Sequence, residues 1–191
     1  PDSLLSHIMI ASTYPLDIVQ AQRWRNDNLH LDAATAVEQA QTQGWDPSVT
    51  ALIAFPSVLE HMNADLQWTQ TLGNAFLEDE ERVLNAVQAL RVQAQQANSL
   101  KHLENMRVSN VNQQIIIEPA RQNIIYVPYY DTRVVYGNWH WRSNPPVFWN
   151  FRPHLALNIS NRGGSHFRWS AGININFDFF FSAFNWHSRH I

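Results

Sequence analysis

The spacing of apolar residues divides the chain into a helical first part and a β-rich second part. Near the start, Leu5, Ile8 and Met9 recur at intervals of three and four, which predicts an amphipathic helix. Pro15 follows a Thr-Tyr pair and suits the first turn of a second helix, where the missing N–H of proline costs nothing.

The boundaries of the next helices are marked by capping residues and prolines. Asp32 is placed to cap a third helix, which should end near Gly44. Asp46 and Pro47 then supply an N-cap and a first-turn proline for a fourth helix, and Pro56 begins a fifth. The pattern therefore predicts an array of short helices.

From Asp65 the helical pattern continues and fades near Asn98. The acidic run Glu78–Glu81 interrupts it and could be a cation site or a helix start. Carboxylates are favourable at a helix N-terminus, and adjacent helical residues point in different directions, so we interpret the run as a helix start.

After a polar stretch, β-branched and aromatic runs appear. Ile115–Ile117 and Ile124–Val127 predict a hairpin with a longer loop, and Pro128 should end its second strand or place it at an edge. Val134–Tyr136 is expected to add a short strand.

The final fifty residues combine an aromatic, proline-containing loop with an alternating pattern. Apolar and polar residues alternate from Ile173 to Phe179, which predicts a strand with two different faces. We expect an α+β fold with three regions: helices over 1–105, β-hairpins packed on them over 106–138, and an aromatic, Asn/Arg/His-rich β tail over 139–191.

Charge follows the same division. Residues 1–105 carry a net charge of −8 and residues 106–191 a net charge of +5, and 17 of the 23 aromatic residues lie in the second part. The two parts could therefore attract each other, within one chain or between chains.

The absence of cysteine excludes thiol catalysis, zinc–thiolate sites and Fe–S clusters. No apolar run is long enough for a transmembrane helix.

Several proline-centred words occur in a distinctive order over about residues 1–140. They are Pro1–Leu5, Ala11–Leu16, Gly44–Val49, Ala54–Pro56, Ile117–Ala120, Tyr126–Pro128, Tyr130–Asp131 and Val134–Gly137. This set resembles the bacterial family called domain of unknown function 3300. The resemblance implies an exported protein of the Gram-negative envelope, periplasmic, cell-surface or extracellular, with further chain before Pro1. It supplies no catalytic residues.

The tail offers the strongest interaction signal. Its alternating strand has high β propensity, almost no charge and no proline, as expected of a segment that pairs with another chain. An ordinary intramolecular strand is the alternative. The candidate interaction residues are Ile173, Ile175, Phe177 and Phe179 for strand pairing, with Trp139, Trp141 and Trp149 as aromatic anchors.

The tryptophan-rich loop is also compatible with other functions. Exposed tryptophans can stack on sugars, so the runner-up function is a glycan- or peptidoglycan-binding module. Arginines interleaved with aromatics can bind nucleic acid, but the modest charge and the expected export argue against it. These aromatics could also simply fill a small β core.

Catalytic and metal signatures are weak. No nucleophile elbow, H-E-x-x-H helix or phosphate-binding loop occurs, and we expect no cofactor. His187 and His190 have ligand spacing, but no helical pattern or nearby carboxylate in the sequence supports a metal site.

The leading hypothesis is a non-catalytic interaction or assembly protein that self-associates into an oligomer or filament. An envelope hydrolase with a dispersed site is the third hypothesis.

Overall fold

The computed structural model describes residues 1–101, 103–147, 167–175 and 184–191. Helices dominate the first part and short antiparallel strand pairs follow, so the predicted α+β class is confirmed. The helices are α1 Asp2–Ala11, α2 Pro15–Asp27, α3 Ala33–Ala40, α4 Pro47–Leu52, α5 Pro56–Ala64, α6 Leu66–Glu78, α7 Glu80–Gln96 and α8 Thr132–Val135, with a 3-10 turn at Gln41–Gln43. The strands are β1 Met106–Val111, β2 Gln114–Pro119, β3 Ile124–Ile125, β4 Pro128–Tyr130, β5 Phe167–Trp169 and β6 Ile173–Asn174.

The chain divides into two units that are discontinuous in sequence. The helical unit comprises Pro1–Leu84 and Ile173–Ile191, and the mixed unit comprises Asn85–Gly172. The mixed unit is therefore an insertion between two segments of the helical unit.

The predicted helix boundaries in the helical unit are confirmed. Pro15, Pro47 and Pro56 each occupy the first turn of a helix. The Asp32 side chain accepts a hydrogen bond from the Thr35 N–H at 3.0 Å, and Asp46 accepts from the Ser48 N–H at 2.8 Å. These carboxylates satisfy amide groups that have no partner inside the helix.

The acidic run is a helix start, as predicted. Asp79 leaves the helical conformation with φ −156°, which separates α6 from α7. Its side chain accepts from the Arg82 N–H at 2.9 Å, so it caps α7.

The core of the helical unit is formed where α2 meets α5 and α1 meets α4. Its largest fully buried apolar side chains are Phe55, Ile18, Leu52, Ile53, Leu59, Met62, Leu84 and Val49. α6 approaches α1 closely at Gly73, where a Cβ atom would lie 2.2 Å from the Ser12 carbonyl oxygen. Only glycine permits this approach.

The predicted hairpin between Ile115–Ile117 and Ile124–Val127 is wrong. β2 pairs antiparallel with β1, which lies in the polar stretch where we predicted no strand. The turn residues Asn112 and Gln113 both have positive φ, of 49° and 67°. Such a two-residue turn matches the twist of paired strands and sets this register. The partner of β2 in the hairpin is therefore the preceding strand β1 and not the following run Ile124–Val127.

The strand predicted at Val134–Tyr136 is also wrong. Asp131 accepts a hydrogen bond from the Arg133 N–H at 2.9 Å and begins the single helical turn of α8. The cap therefore outweighs the β propensity of the two valines. Pro128 does not end a strand but begins β4, which pairs antiparallel with β5.

A second core lies in the mixed unit. Its buried residues are Ala94, Met106, Val135, Phe167 and Trp169. Gln88 of α7 accepts from the Ile115 N–H at 2.9 Å and donates to the Ile115 carbonyl at 3.1 Å. This paired contact fixes β2 against α7.

Candidate functional site

Aromatic rings of the mixed unit form a continuous series of contacts, which we call the aromatic ladder. In order, its members are Trp141, Trp139, Tyr136, Tyr130, Phe167 and Trp169, with centroid separations from 5.0 to 6.2 Å. Phe167 and Trp169 are buried at one end, whereas Trp141 is 42% exposed at the other. The ladder thus connects the core to the surface.

The exposed end of the ladder is held in place by hydrogen bonds. The Trp139 indole N–H donates to the Trp141 carbonyl at 3.1 Å and to the Asn144 carbonyl at 2.7 Å. The Asn144 N–H in turn donates to the Trp141 carbonyl at 3.0 Å. The Thr132 hydroxyl donates to the Val147 carbonyl at 3.0 Å, so the loop over 138–147 is attached at both ends.

The middle of the ladder contains a half-buried pair of phenols. The Tyr130 and Tyr136 hydroxyl oxygens lie 3.2 Å apart. Burial raises the pKa of Tyr136 far above its usual value, and the neighbouring Tyr130 contributes in the same direction. Tyr136 is therefore neutral at any physiological pH and keeps its hydroxyl proton.

The surface around Trp141 is polar. His140, Arg142, Ser143 and Asn144 are exposed on either side of it in sequence. Trp141 lies in edge-on contact with Trp139 at 5.0 Å and an interplanar angle of 66°. An exposed indole with hydrogen-bonding neighbours is suited to binding a partly apolar, partly hydroxylated ligand.

The last eight residues form a second cluster, within the helical unit. The Trp186 indole N–H donates to the Asp2 carboxylate at 2.6 Å, and Trp186 is 7% exposed. Arg189 pairs with Glu81 at 2.5 Å. We call Asp2, Glu80 and Glu81 the acidic seat, and residues 184–191 the C-terminal segment.

The remaining contacts of the acidic seat are made by Glu80. Its carboxylate lies 2.9 Å from His190 Nδ1 and accepts from the Ile191 N–H at 2.5 Å. The acidic first part and the basic tail of the chain therefore meet here, between residues more than one hundred positions apart.

The predicted interaction residues fall in different places. Trp139 and Trp141 belong to the aromatic ladder, whereas Trp149 lies outside the described residues. Ile173 and Ile175 are half-buried, with Asn174 exposed between them, and β6 lies against α3. Phe177 and Phe179 lie outside the described residues.

The two histidines with ligand spacing do not lie on a helix. His187 and His190 belong to a turn in which Arg189 has φ 57°. His190 faces Glu80, and His187 is exposed. Across the ranges that the structure describes, no group of three or more His, Cys, Asp or Glu residues could hold a metal ion.

An open surface depression of about 340 Å³ lies elsewhere in the mixed unit. Its lining residues are Leu100, Lys101, Leu103, Glu104, Met106 and Val108. Lys101 and Glu104 are both exposed, so neither is desolvated in the manner of a catalytic acid or base.

Sequence reasoning missed the tyrosines of the ladder and the acidic seat. Tyr130 and Tyr136 flank a helical turn that we interpreted as a strand, so their proximity was not visible in the pattern. Glu80 and Glu81 were correctly placed at a helix start, but nothing in the sequence indicated which basic residues they meet. The opposite net charges of the two parts were the only signal.

No helix in the described part of the chain is both long and apolar enough to cross a bilayer. No solved structure matches the chain. It is 34% identical to the uncharacterized protein YacH of Escherichia coli (strain K12), over 78% of this chain and 29% of that protein. The chain therefore spans less than a third of the length of this curated relative.

A family model described as protein of unknown function (DUF3300) matches residues 1–191. The match includes the proline-centred words of the first 140 residues and continues through the tail. Neither the family description nor the name of the relative assigns an enzymatic activity. The chain belongs to the DUF3300 family of proteins of unknown function.

Proposed function

We propose that this chain is a non-catalytic interaction module of an exported cell-envelope protein and that it contacts its ligand through Trp141. The observation that carries the proposal is the exposure of Trp141 at the end of the aromatic ladder. Because Trp139 is hydrogen-bonded to the loop backbone, the platform is already ordered, and binding costs little further conformational entropy.

The ligand class that fits this surface is polysaccharide. The C–H face of a sugar ring is weakly positive and is attracted to the negative face of an indole. The exposed side chains of His140, Arg142 and Asn144 can hydrogen-bond the sugar hydroxyls around it. Aromatic stacking supplies affinity, and the polar neighbours supply orientation.

Export is part of the proposal and rests on the family resemblance over residues 1–140. A module in the envelope would have cell-wall polysaccharide within reach. Fractionation of cells that express the full-length protein tests the location, and recovery in the cytosolic fraction would contradict it.

The proposed ligand class is tested by retention on purified peptidoglycan. Trp141→Ala should lower the retained fraction at least about tenfold, as expected when a central aromatic contact is removed. Tyr14→Ala is the matched control, because Tyr14 is also an aromatic residue that is 42% exposed but lies in the helical unit. Equal retention of the wild type and both variants would show that the loop does not bind this polymer.

Self-association through the tail is a second candidate function. It rests on the alternation of apolar and polar residues from Ile173 to Phe179, which is the sequence pattern of a two-faced strand. Replacing Ile173 and Ile175 together by lysine should lower the mass measured by light scattering, whereas Asn174→Lys should not. An unchanged mass in the double variant would contradict strand pairing.

A further inference from the structure

The C-terminal segment has an internal structure of its own. The Asn185 side chain accepts from the His187 N–H at 3.2 Å and from the Ser188 N–H at 3.1 Å. The Asn185 N–H donates to the His190 carbonyl at 2.7 Å, which closes the turn. Phe184 packs on Trp186 with ring centroids 4.6 Å apart. These contacts lie inside the segment and fold it into a turn.

The ion pairs between the segment and the acidic seat involve exposed side chains, apart from Glu80, which is 26% exposed. The side chains of Glu81, Arg189 and His190 are 61%, 38% and 65% exposed. Ion pairs at such exposure contribute little each because water and salt screen them. Trp186 is the buried anchor, and its indole N–H donates to Asp2.

The chain contains no cysteine, so no disulfide bond secures the segment to the seat. Because the segment is held to the seat by non-covalent contacts alone, the contact can open and form again. Any second copy of the chain presents the same segment to the same seat.

We propose that the acidic seat of one copy accepts the C-terminal segment of a second copy, exchanging an intramolecular contact for an identical intermolecular one. The seat carries three carboxylates and the segment carries Arg189 and no acidic residue, so their opposite charges favour this encounter between copies. The inference goes beyond the proposed function, because it names a different contact between copies, with the acidic seat as the acceptor. It requires neither polysaccharide at Trp141 nor strand pairing after Ile173.

Cross-linking in the cysteine-free background tests the exchange directly. Arg82→Cys and Ser188→Cys place thiols beside the paired residues Glu81 and Arg189, at exposed positions, and leave every contact of the seat intact. Full-length chains that each carry one of these substitutions are mixed across a concentration series and treated with a short bis-maleimide. The expected product is a cross-linked heterodimer whose yield rises with concentration.

The controls separate exchange from collision and from misfolding. A single chain carrying both substitutions should cross-link internally, which shows that the two positions lie within reach. Adding Trp186→Ala to the Ser188→Cys chain should lower the heterodimer yield at least about tenfold, because the buried anchor is lost. Internal cross-linking without any heterodimer would overturn the proposal, as would a heterodimer yield that does not change with Trp186→Ala.

Discussion

Arg25 is a buried cation whose guanidinium donates hydrogen bonds to backbone carbonyl groups. Its Nε lies 3.1 Å from the Ile53 oxygen, its Nη2 lies 3.1 Å from the Leu31 oxygen, and its Nη1 binds the Asn28 oxygen. Burial lowers the pKa of Arg25, and the charge of Asp32 opposes this effect. The fork of donors ties the end of α2 to the backbone after α4.

Arg25→Lys should therefore destabilise the helical unit by about 1–3 kcal/mol, because a single ammonium cannot reach all three carbonyls. Urea unfolding followed by circular dichroism measures the change. Arg23→Lys on the same helix is the control, since Arg23 is exposed, and it should have little effect. A wild-type unfolding curve for Arg25→Lys would show that the carbonyls find other donors.

His7 is a buried imidazole that makes stability depend on pH. Its Nδ1 donates to the Ser3 carbonyl at 2.8 Å, and burial lowers its pKa below the ordinary value of 6.5. Below about pH 6.5 the unfolded chain therefore binds a proton that the folded chain does not, and stability should fall as the pH drops through this range.

His7→Gln removes this titration and should flatten the decline of the melting temperature between pH 7 and pH 5. Thermal unfolding at several pH values measures it, with His30→Gln, an exposed histidine, as the control. If His7→Gln leaves the pH dependence of the wild type unchanged, protonation of other groups governs the decline.

At the scale of elements, the contact of α6 with α1 depends on one missing side chain. Gly73→Ala would place Cβ 2.2 Å from the Ser12 carbonyl oxygen, so the two helices must move apart. We expect a loss of about 1–3 kcal/mol in the free energy of unfolding. Asn74→Ala, at an exposed position of the same helix, should not destabilise. Similar stabilities for the two variants in urea would contradict the close approach.

The β1–β2 turn carries backbone strain that glycine would relieve. Gln113 has φ 67°, a conformation that costs an L-residue about 1–2 kcal/mol. Gln113→Gly should raise stability by roughly 0.5–1 kcal/mol after the greater freedom of the unfolded chain is subtracted. Thermal unfolding measures it, and Asn110→Gly in β1 should act in the opposite direction. A lower melting temperature for Gln113→Gly would argue against this turn.

Helices were predictable from the sequence because their ends are set locally. Asp32, Asp46 and the prolines act within one helical turn, so a few neighbouring residues in the sequence are enough to predict where each helix begins. Strand pairing is not local in this sense. Asn112–Gln113 lacks the usual glycine, so the turn that selects β1 as the partner of β2 gives only a faint signal.

At the scale of the whole molecule, the candidate site could be predicted only in part. The exposed and half-buried tryptophans Trp141 and Trp139 were identifiable from composition. The pairing of β4 with β5 brings Tyr130 to Phe167, and the helical turn of α8 brings Tyr136 to Tyr130. The acidic seat likewise joins Asp2 to Trp186 across nearly the full length of the sequence. Contacts at such separations depend on the completed fold.

The central claim is that Trp141 is the binding residue of a preformed platform. Calorimetric titration with soluble, enzymatically released peptidoglycan fragments tests it most directly, using the wild type, Trp141→Phe and Trp141→Ala. We predict that affinity falls in that order, with Trp141→Ala weaker than the wild type by about tenfold or more, because a smaller ring stacks over less of the sugar face. Equal affinity of all three proteins would contradict the claim.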